Sequence, residues 1–234
     1  MVYTTSTSKR IVQRKNLDDE VYEKIFQMIA DGTIRCGDRL SVDWICEQTG
    51  VSKTPVISAL KRLCFENILF TSRSKGYYVK VPDHDEVVAV AETSELFNEY
   101  ALKELIQRAS EQDIEQIAQT AALTYGAYCN RNIEEYRVAD NDFHDLLYMY
   151  ANAYVKDFYY IMKCKTSIWR SMIEVFLPQE NRFFNPKFHA MIVEGLQHRD
   201  VDLAIQGAKD ENKCTLQLLS DALDSGFFTQ TGVY

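Results

Sequence analysis

Long apolar stretches are absent from this sequence. No segment approaches the roughly 18 to 20 uninterrupted apolar residues that a membrane span requires. The first residues, MVYTTSTSKRIVQRKN, are polar and basic and lack the apolar run of a secretory signal. We therefore expect a cytoplasmic protein that does not contact a membrane, with residues 1–16 forming a disordered basic tail.

Paired cysteines are also absent. The chain has 6 cysteines, and no two of them form a CxxC motif. This argues against a zinc ribbon and a disulfide framework and suits a reducing compartment, so we interpret the cysteines as small buried apolar residues. The sequence also lacks a serine or cysteine nucleophile motif and a glycine-rich phosphate loop. We therefore expect that the protein is not an enzyme.

The net charge of −8 conceals an uneven distribution. Residues 1–82 carry 13 Lys and Arg against 9 Asp and Glu, whereas the residues from 83 onwards carry 13 against 25. A basic N-terminal part on an acidic remainder is typical of a protein whose N-terminal part alone meets a polyanion such as DNA.

Residues 17–82 show the pattern of a winged helix-turn-helix. Apolar residues recur at helical spacing from Leu17 and stop before Gly32. A short helix follows the capping residue Ser41, and a third helix begins at Ser52 after a tight glycine-containing turn. The two short helices predict a helix-turn-helix.

A basic hairpin completes this pattern. Two segments, 68–72 and 77–81, flank a basic turn and predict the two strands of a wing. A helix-turn-helix places the N-terminal half of its second helix in the major groove, and hydroxyl and basic side chains there suit phosphates and base edges. The residues predicted to contact DNA from their place in this pattern are Arg39, Ser52, Lys53, Thr54, Arg73 and Lys75.

From residue 83 onwards the sequence predicts helices alone. Pro82-Asp83-His84-Asp85 interrupts the preceding pattern, and few Gly or Pro residues follow it. The predicted helices span roughly 84–108, 111–129, 132–150, 154–176, 180–198 and 200–224. Residues 83–228 are therefore predicted to form an all-α bundle of about six helices, which makes the whole chain mainly α.

Asp140 and His144 are the most informative pair in this bundle. They are four residues apart, so they share one face of a helix and can supply half of a divalent metal site. A surface pair without a metal is the alternative, and spacing alone does not decide between the two.

The N-terminal pattern closely resembles the DNA-binding domain of the GntR family of transcriptional regulators. The resemblance covers about residues 17–81 and lies in Gly37, Leu40-Ser41, Gly50-Val51-Ser52, Thr54-Pro55-Val56, Ala59-Leu60, Leu63, Gly76 and Val79. It implies binding to a palindromic operator, with Gly76 in the wing. Lys53 stands where the family usually has arginine, and Ile57 stands where it usually has a base-reading arginine. We therefore expect an atypical operator.

The bundle resembles the FCD effector domain of the FadR-like branch of that family. Asp140, Phe143, His144, Leu147 and Asn152 follow the order of the family motif, and His189 matches its next metal ligand. Alignment through Asp200 and Ala204 places Glu211 at the fourth ligand position, which is usually histidine. The resemblance implies that Asp140, His144, His189 and Glu211 hold a divalent metal such as Zn²⁺, Ni²⁺ or Mn²⁺, to which an organic-acid effector adds its carboxylate.

The first bundle helix departs from the family pattern. Ser94 and Asn98 stand where an arginine and a glutamate are usual. Arg170 is a candidate substitute for the missing arginine, and we expect Arg170 and Asn152 to bind the effector. A surface arginine lying over Trp169 is the alternative reading of Arg170.

Together these features predict a homodimeric, ligand-responsive regulator of transcription. The alternatives are a metal-dependent enzyme, in which two carboxylates and two imidazoles activate water, and an interaction module that has lost both functions.

Overall fold

The N-terminal head of the protein (residues 17–82) is a three-helix unit with a small sheet. The structure is a computed structural model that describes residues 17–30, 33–72, 76–176 and 186–226. The elements of the head are α1 (Leu17–Ala30), β1 (Arg39–Leu40), α2 (Val42–Thr49), α3 (Lys53–Phe65), β2 (Leu69–Thr71) and β3 (Tyr77–Val79). The order of helices and hairpin strands agrees with the winged helix-turn-helix predicted from the sequence.

The turn between α2 and α3 has the local chemistry that the sequence predicted. The hydroxyl of Ser41 accepts a hydrogen bond from the backbone N–H of Trp44 and caps α2. Gly50 ends that helix in the left-handed region at φ 72°, which a residue with a Cβ adopts only with strain. Ser52 precedes α3, and its hydroxyl makes no capping hydrogen bond.

The wing contains one strand that the sequence did not predict. The sheet has the order β1-β3-β2 with antiparallel pairing, and Leu69 pairs with Val79. Arg39 and Leu40 of β1 pair with Tyr78 and Tyr77 on the other side of β3. A strand of two residues has no periodicity of its own, so only this distant pairing defines it.

Six helices form the described part of the C-terminal body (residues 83–226). They are α4 (His84–Arg108), α5 (Glu111–Cys129), α6 (Ile133–Leu147), α7 (Ala153–Phe176), α8 (Lys187–Gln197) and α9 (Val201–Asp224). This agrees with the predicted mainly-α class. α6 ends three residues earlier than predicted, and the predicted start of α8 near residue 180 lies outside the described residues. No helix in the described ranges combines the length and apolarity needed to cross a membrane.

Two clusters of buried side chains form the core. One lies within the body and joins α4, α5, α6, α8 and α9. The other begins in the head and continues into the body through Cys164, Ile168 and Trp169 of α7 and Leu219 of α9. The head therefore packs directly on α7 and α9.

The cysteine interpretation is correct for only part of the set. Cys36 and Cys164 are buried, but Cys129 and Cys214 are exposed on the outer sides of α5 and α9. All six are free thiols, so none of them forms a disulfide.

Candidate metal centre and DNA-contacting face

Three helices of the body bring four metal-ligating side chains together. α6 contributes Asp140 and His144, one turn apart, α8 contributes His189, and α9 contributes Glu211. One ligand atom from each lies within 4.8 Å of every other. The sequence predicted these same four residues, and the structure places them in one cluster.

The spacing of these atoms fits a small divalent ion. Nε2 of His189 lies 3.0 Å from Oε1 of Glu211 and 3.6 Å from Oδ1 of Asp140, and Nε2 of His144 lies 3.4 Å from Oε1 of Glu211. Ligands of a tetrahedral zinc ion, with bonds of about 2.0–2.2 Å, are about 3.4 Å apart. Nitrogen and oxygen donors of this kind suit Zn²⁺, Ni²⁺ or Mn²⁺.

Two glycines allow α8 and α9 to approach closely enough for this contact. A Cβ on Gly195 would lie 2.5 Å from the backbone nitrogen of Ala204 and 2.8 Å from its Cα. A Cβ on Gly207 would lie 3.0 Å from side-chain atoms of Ile192 and Met191. These glycines are therefore part of the geometry that sets the separation of His189 and Glu211.

Asp140 is held by two further side chains. The hydroxyl of Tyr136 donates to Oδ1 at 3.0 Å, and Nη1 of Arg170 lies 3.2 Å from Oδ2. Burial alone would raise the pKa of Asp140, but Arg170, His144 and His189 outweigh it and lower that pKa below its ordinary value. Asp140 is therefore charged, and Tyr136 and Arg170 fix its orientation.

Glu211 and His144 stabilise one another's charged forms. Burial opposes both charges, but His144 and His189 hold the pKa of Glu211 well below its usual range. The carboxylates of Glu211 and Asp140 raise the pKa of His144 despite its burial. Within the cluster, the charges of the carboxylates and imidazoles therefore offset the cost of burying each group.

His189 is fixed by packing on one side and directed at the cluster on the other. Its ring stacks on Phe143, with the centroids 4.0 Å apart, and its side chain is 1% exposed. Nδ1 is buried and has no hydrogen-bond partner among the described residues, whereas Nε2 faces the two carboxylates. This leaves Nε2 as the nitrogen available to a metal.

A cavity of about 110 Å³ adjoins the cluster. Its walls come from α4, α6, α7 and α9 and include Asp140, His144, Glu211 and Arg170. Arg170 borders the cavity and is ion-paired with Asp140, and its role in effector binding stays a prediction. Ser94 and Asn98, the two departures from the family pattern, line the same cavity.

Asn152 has a different place. Its side-chain oxygen accepts a hydrogen bond from the backbone N–H of Val155 at the start of α7, and its amide donates to the hydroxyl of Tyr100. It is absent from the lining of the cavity. In this structure Asn152 caps a helix, so its effector-binding role stays a prediction.

The exposed face of the head begins at the N-terminal end of α3. Ser52, Lys53 and Thr54 are exposed, and Ile57 is half-buried one turn further along. Nζ of Lys53 lies 2.6 Å from Oδ1 of Asp43 on α2, and both side chains are mostly exposed. Because both side chains are exposed to solvent, this ion pair is weak, and a phosphate could replace Asp43 as the partner of Lys53.

The wing places a glycine beside a cation. A Cβ on Gly76 would lie 2.8 Å from Nε of Arg39 and 3.0 Å from the ring of Tyr78, so a larger residue here would displace these two side chains. Arg39 itself is exposed on β1. The predicted contacts Arg73 and Lys75 lie outside the described residues.

Comparison with known proteins bears directly on the head. Residues 17–79 match the model of the gntR family of bacterial regulatory proteins. The head is a GntR-family winged helix-turn-helix domain. The Nta operon transcriptional regulator of Aminobacter aminovorans is 31% identical over 80 residues, which are 34% of this chain. The match spans only 38% of that regulator's length.

Solved structures share the fold of head and body together. E. coli McbR/YncC has a TM-score of 0.77 at 15% identity, covering 90% of this chain and 100% of that chain. A GntR transcriptional regulator from Rhodococcus sp. RHA1 has a TM-score of 0.72 at 18% identity, covering 88% of this chain and 98% of that chain. At these identities the likeness shows that the fold is shared.

Tyr136 and Phe143 were not predicted as functional residues. Tyr136 orients Asp140 from one turn away on α6, and Phe143 supports the ring of His189 from α6. The spacing of Tyr136 from Asp140, four residues along one helix, is visible in the sequence and could have indicated the first contact.

Proposed function

We propose that this chain is a cytoplasmic, DNA-binding regulator of transcription in the FadR-like branch of the GntR family. Its head would bind operator DNA, and its body, an FCD-type domain, would bind a divalent metal and a small organic acid. The observation that carries the proposal is the GntR-family head, whose α3 presents the exposed Lys53 and Thr54 at the end that a helix-turn-helix inserts into the major groove.

The metal part of the proposal depends on the cluster of Asp140, His144, His189 and Glu211. Two carboxylates balance the charge of a divalent ion, and two imidazoles supply borderline donors. The metal would supply a Lewis-acidic point at the wall of the cavity. Arg170 would orient the effector's carboxylate there. The cavity volume of about 110 Å³ is below the roughly 300–1,000 Å³ of drug-sized ligand pockets, so it would admit only a small ligand.

The homodimer part depends on exposed apolar side chains of α4 and α7. Leu96 is 69% exposed, Tyr154 is 79% exposed and Phe158 is 56% exposed, and Phe158 stacks on Phe97. Exposed apolar patches rich in aromatic residues mark protein interfaces. A second copy is the expected occupant, because a palindromic operator is bound by two symmetry-related heads.

Selection from a random DNA library tests the DNA-binding function. Purified protein is used to enrich duplexes that contain a random 40-base-pair region, and the selected pool is sequenced. We expect an inverted repeat whose binding weakens steeply with salt, with a slope of about −0.9 per phosphate contacted. Failure to enrich any motif, together with the absence of salt-dependent binding, would favour the interaction-module alternative.

Calorimetric titration with Zn²⁺ tests the metal site. His144→Gln removes an imidazole from the cluster, whereas the matched change His198→Gln alters an exposed histidine at the end of α8. We expect binding to weaken at least about tenfold in His144→Gln, because a ligand is lost, and to persist in His198→Gln. Unchanged affinity in His144→Gln would show that the ion binds elsewhere.

Sedimentation equilibrium tests the dimer surface. Phe158→Glu places a charge in the patch of α4 and α7, and Leu123→Glu places one at a similarly exposed apolar position on α5. We expect Phe158→Glu to give monomers and Leu123→Glu to leave the dimer intact, since burying an unpaired charge is costly. The reverse result would move the interface to α5.

A further inference from the structure

Helix α7 lies between the cavity and the head. Lys163, Ser167 and Arg170 line the cavity. Lys165 and Trp169, two positions after Lys163 and Ser167, contact the junction with the head. Residues two apart on an α-helix are separated by about 200°, so Lys163 and Ser167 lie nearly opposite Lys165 and Trp169 on α7. Arg170 is about 100° around the helix from Trp169.

The head-facing side of α7 makes specific contacts. The hydroxyl of Tyr22 on α1 lies 4.0 Å from Sγ of Cys164. Nζ of Lys165 lies 2.6 Å from Oε1 of Glu86 in the first turn of α4, and the other oxygen of Glu86 lies 2.9 Å from Nζ of Lys80 in the head. Lys165 and Glu86 are each about nine-tenths buried, so this pairing is shielded from solvent.

Trp169 continues this junction. It is 5% exposed and belongs to the apolar cluster that includes the core of the head. A small pocket beside it is bounded by Ile68 and Val79 of the wing region. A shift of α7 would therefore change how the head packs, because tightly packed side chains do not deform continuously.

The cavity-facing side of α7 is tied to the metal cluster by one ion pair. Nη1 of Arg170 lies 3.2 Å from Oδ2 of Asp140, and Arg170 directly follows Trp169 in the chain. A cation at Asp140, or an anion that takes Arg170 as its partner, would change this ion pair. α4 and α9 also border the cavity and the head, but at successive positions along their lengths.

We propose that α7 transmits the state of the Asp140–Arg170 ion pair to the head, through Trp169 and through the Lys165–Glu86 pair, which contacts Lys80 of the head. This inference rests on the proposed function in one respect, namely that metal or effector binding is what changes the ion pair. The coupling itself requires only that the two arrangements of α7 hold the head differently.

Hydrogen–deuterium exchange of the full chain tests this coupling without any ligand. Asp140→Asn breaks the ion pair, and the matched change Asp142→Asn alters an exposed carboxylate on the same helix. We expect amide exchange in α1 to change about fivefold or more in Asp140→Asn, the lower end of usual coupling between sites. Exchange in α1 should be unchanged in Asp142→Asn. An unchanged α1 in Asp140→Asn would overturn the proposal.

A double-mutant cycle separates coupling from general destabilisation. Lys165→Met removes the ion pair between α7 and Glu86 of α4. This substitution is combined with Asp140→Asn, which breaks the ion pair on the cavity side of α7. If α7 transmits the change, the effects on α1 exchange are non-additive, whereas independent sites give additive effects. Exchange in α5, which packs on α6 and α8, serves as the internal reference. Additive effects, or equal changes in α1 and α5, would overturn the proposal.

Hydrogen–deuterium exchange in the presence of Zn²⁺ tests the metal site and the coupling through α7 separately. Zinc that binds wild-type protein and alters α1 exchange supports both the metal site and the coupling. Zinc that binds without altering α1 exchange contradicts the coupling alone. Absence of zinc binding contradicts the metal site, and the Asp140→Asn cycle then decides the coupling by itself.

Discussion

Gly195→Ala tests whether the close approach of α8 and α9 maintains the fold and the ligand cluster. The new Cβ would lie 2.5 Å from the nitrogen and 2.8 Å from the Cα of Ala204. These are main-chain atoms, which cannot rotate away as a flexible side chain can, so the two helices have to separate. Gly126→Ala is the matched control, because a Cβ on Gly126 meets nothing within 4 Å.

We expect the two substitutions to change the free energy of unfolding in opposite directions. Replacing a helical glycine with alanine gains about 1 kcal/mol from helix propensity. Overpacking a tight contact costs about 1–3 kcal/mol, and contact with backbone places Gly195→Ala in the upper part of that range. We therefore expect Gly195→Ala to lower the free energy of unfolding by about 1–2 kcal/mol. Gly126→Ala should raise it by up to about 1 kcal/mol.

Urea unfolding followed by circular dichroism measures both changes. With a slope of about 3 kcal/mol per molar urea, Gly195→Ala should lower the midpoint by about 0.3–0.7 M. Zinc affinity should fall as well, because His189 on α8 and Glu211 on α9 move apart from their 3.0 Å contact. A Gly195→Ala protein as stable as Gly126→Ala would refute the packing argument.

Three further changes test the head and the cluster. Lys53→Met should weaken binding to mixed-sequence duplex DNA and reduce the salt slope by about 0.9, whereas Lys209→Met on α9 should leave both unchanged. Tyr22→Phe removes the buried hydrogen bond to a carboxylate and should cost about 1.5–2 kcal/mol in urea unfolding, with the exposed Tyr154→Phe within about 0.5 kcal/mol of wild type. Glu211→Gln removes a charged ligand and should weaken zinc binding at least about tenfold in calorimetry, and unchanged affinity would exclude this carboxylate as a ligand.

Local signals explain the helix bounds that the sequence predicted well. α5 starts after Ser110, whose hydroxyl and backbone N–H pair reciprocally with Asp113, and α9 starts after the capping residue Asp200. The strand at Arg39 was missed because its partner, β3, lies about forty residues away in the chain. α6 ends early, and the backbone turns at Tyr148 before α7 begins.

Only part of the candidate site could be predicted from the local sequence pattern. The spacing of Asp140 and His144 places them on one helix face, and that is a property of the sequence alone. His189 and Glu211 are far from them in the chain, and only the family resemblance pointed to them. No spacing rule predicted that Arg170 would pair with Asp140, because α6 and α7 meet through tertiary packing.

The residues that set the geometry of the cluster carry no chemical signature. Gly195 and Gly207 act through the side chain they lack, which lets α8 and α9 approach until His189 and Glu211 are in contact. A search for ligating residues passes over such positions, because its signal is the presence of a donor atom. The distance between two ligands is nevertheless a property of the helices that bear them. The close helix packing at Gly195 therefore belongs to the geometry of the proposed metal site as much as the imidazole of His189 does.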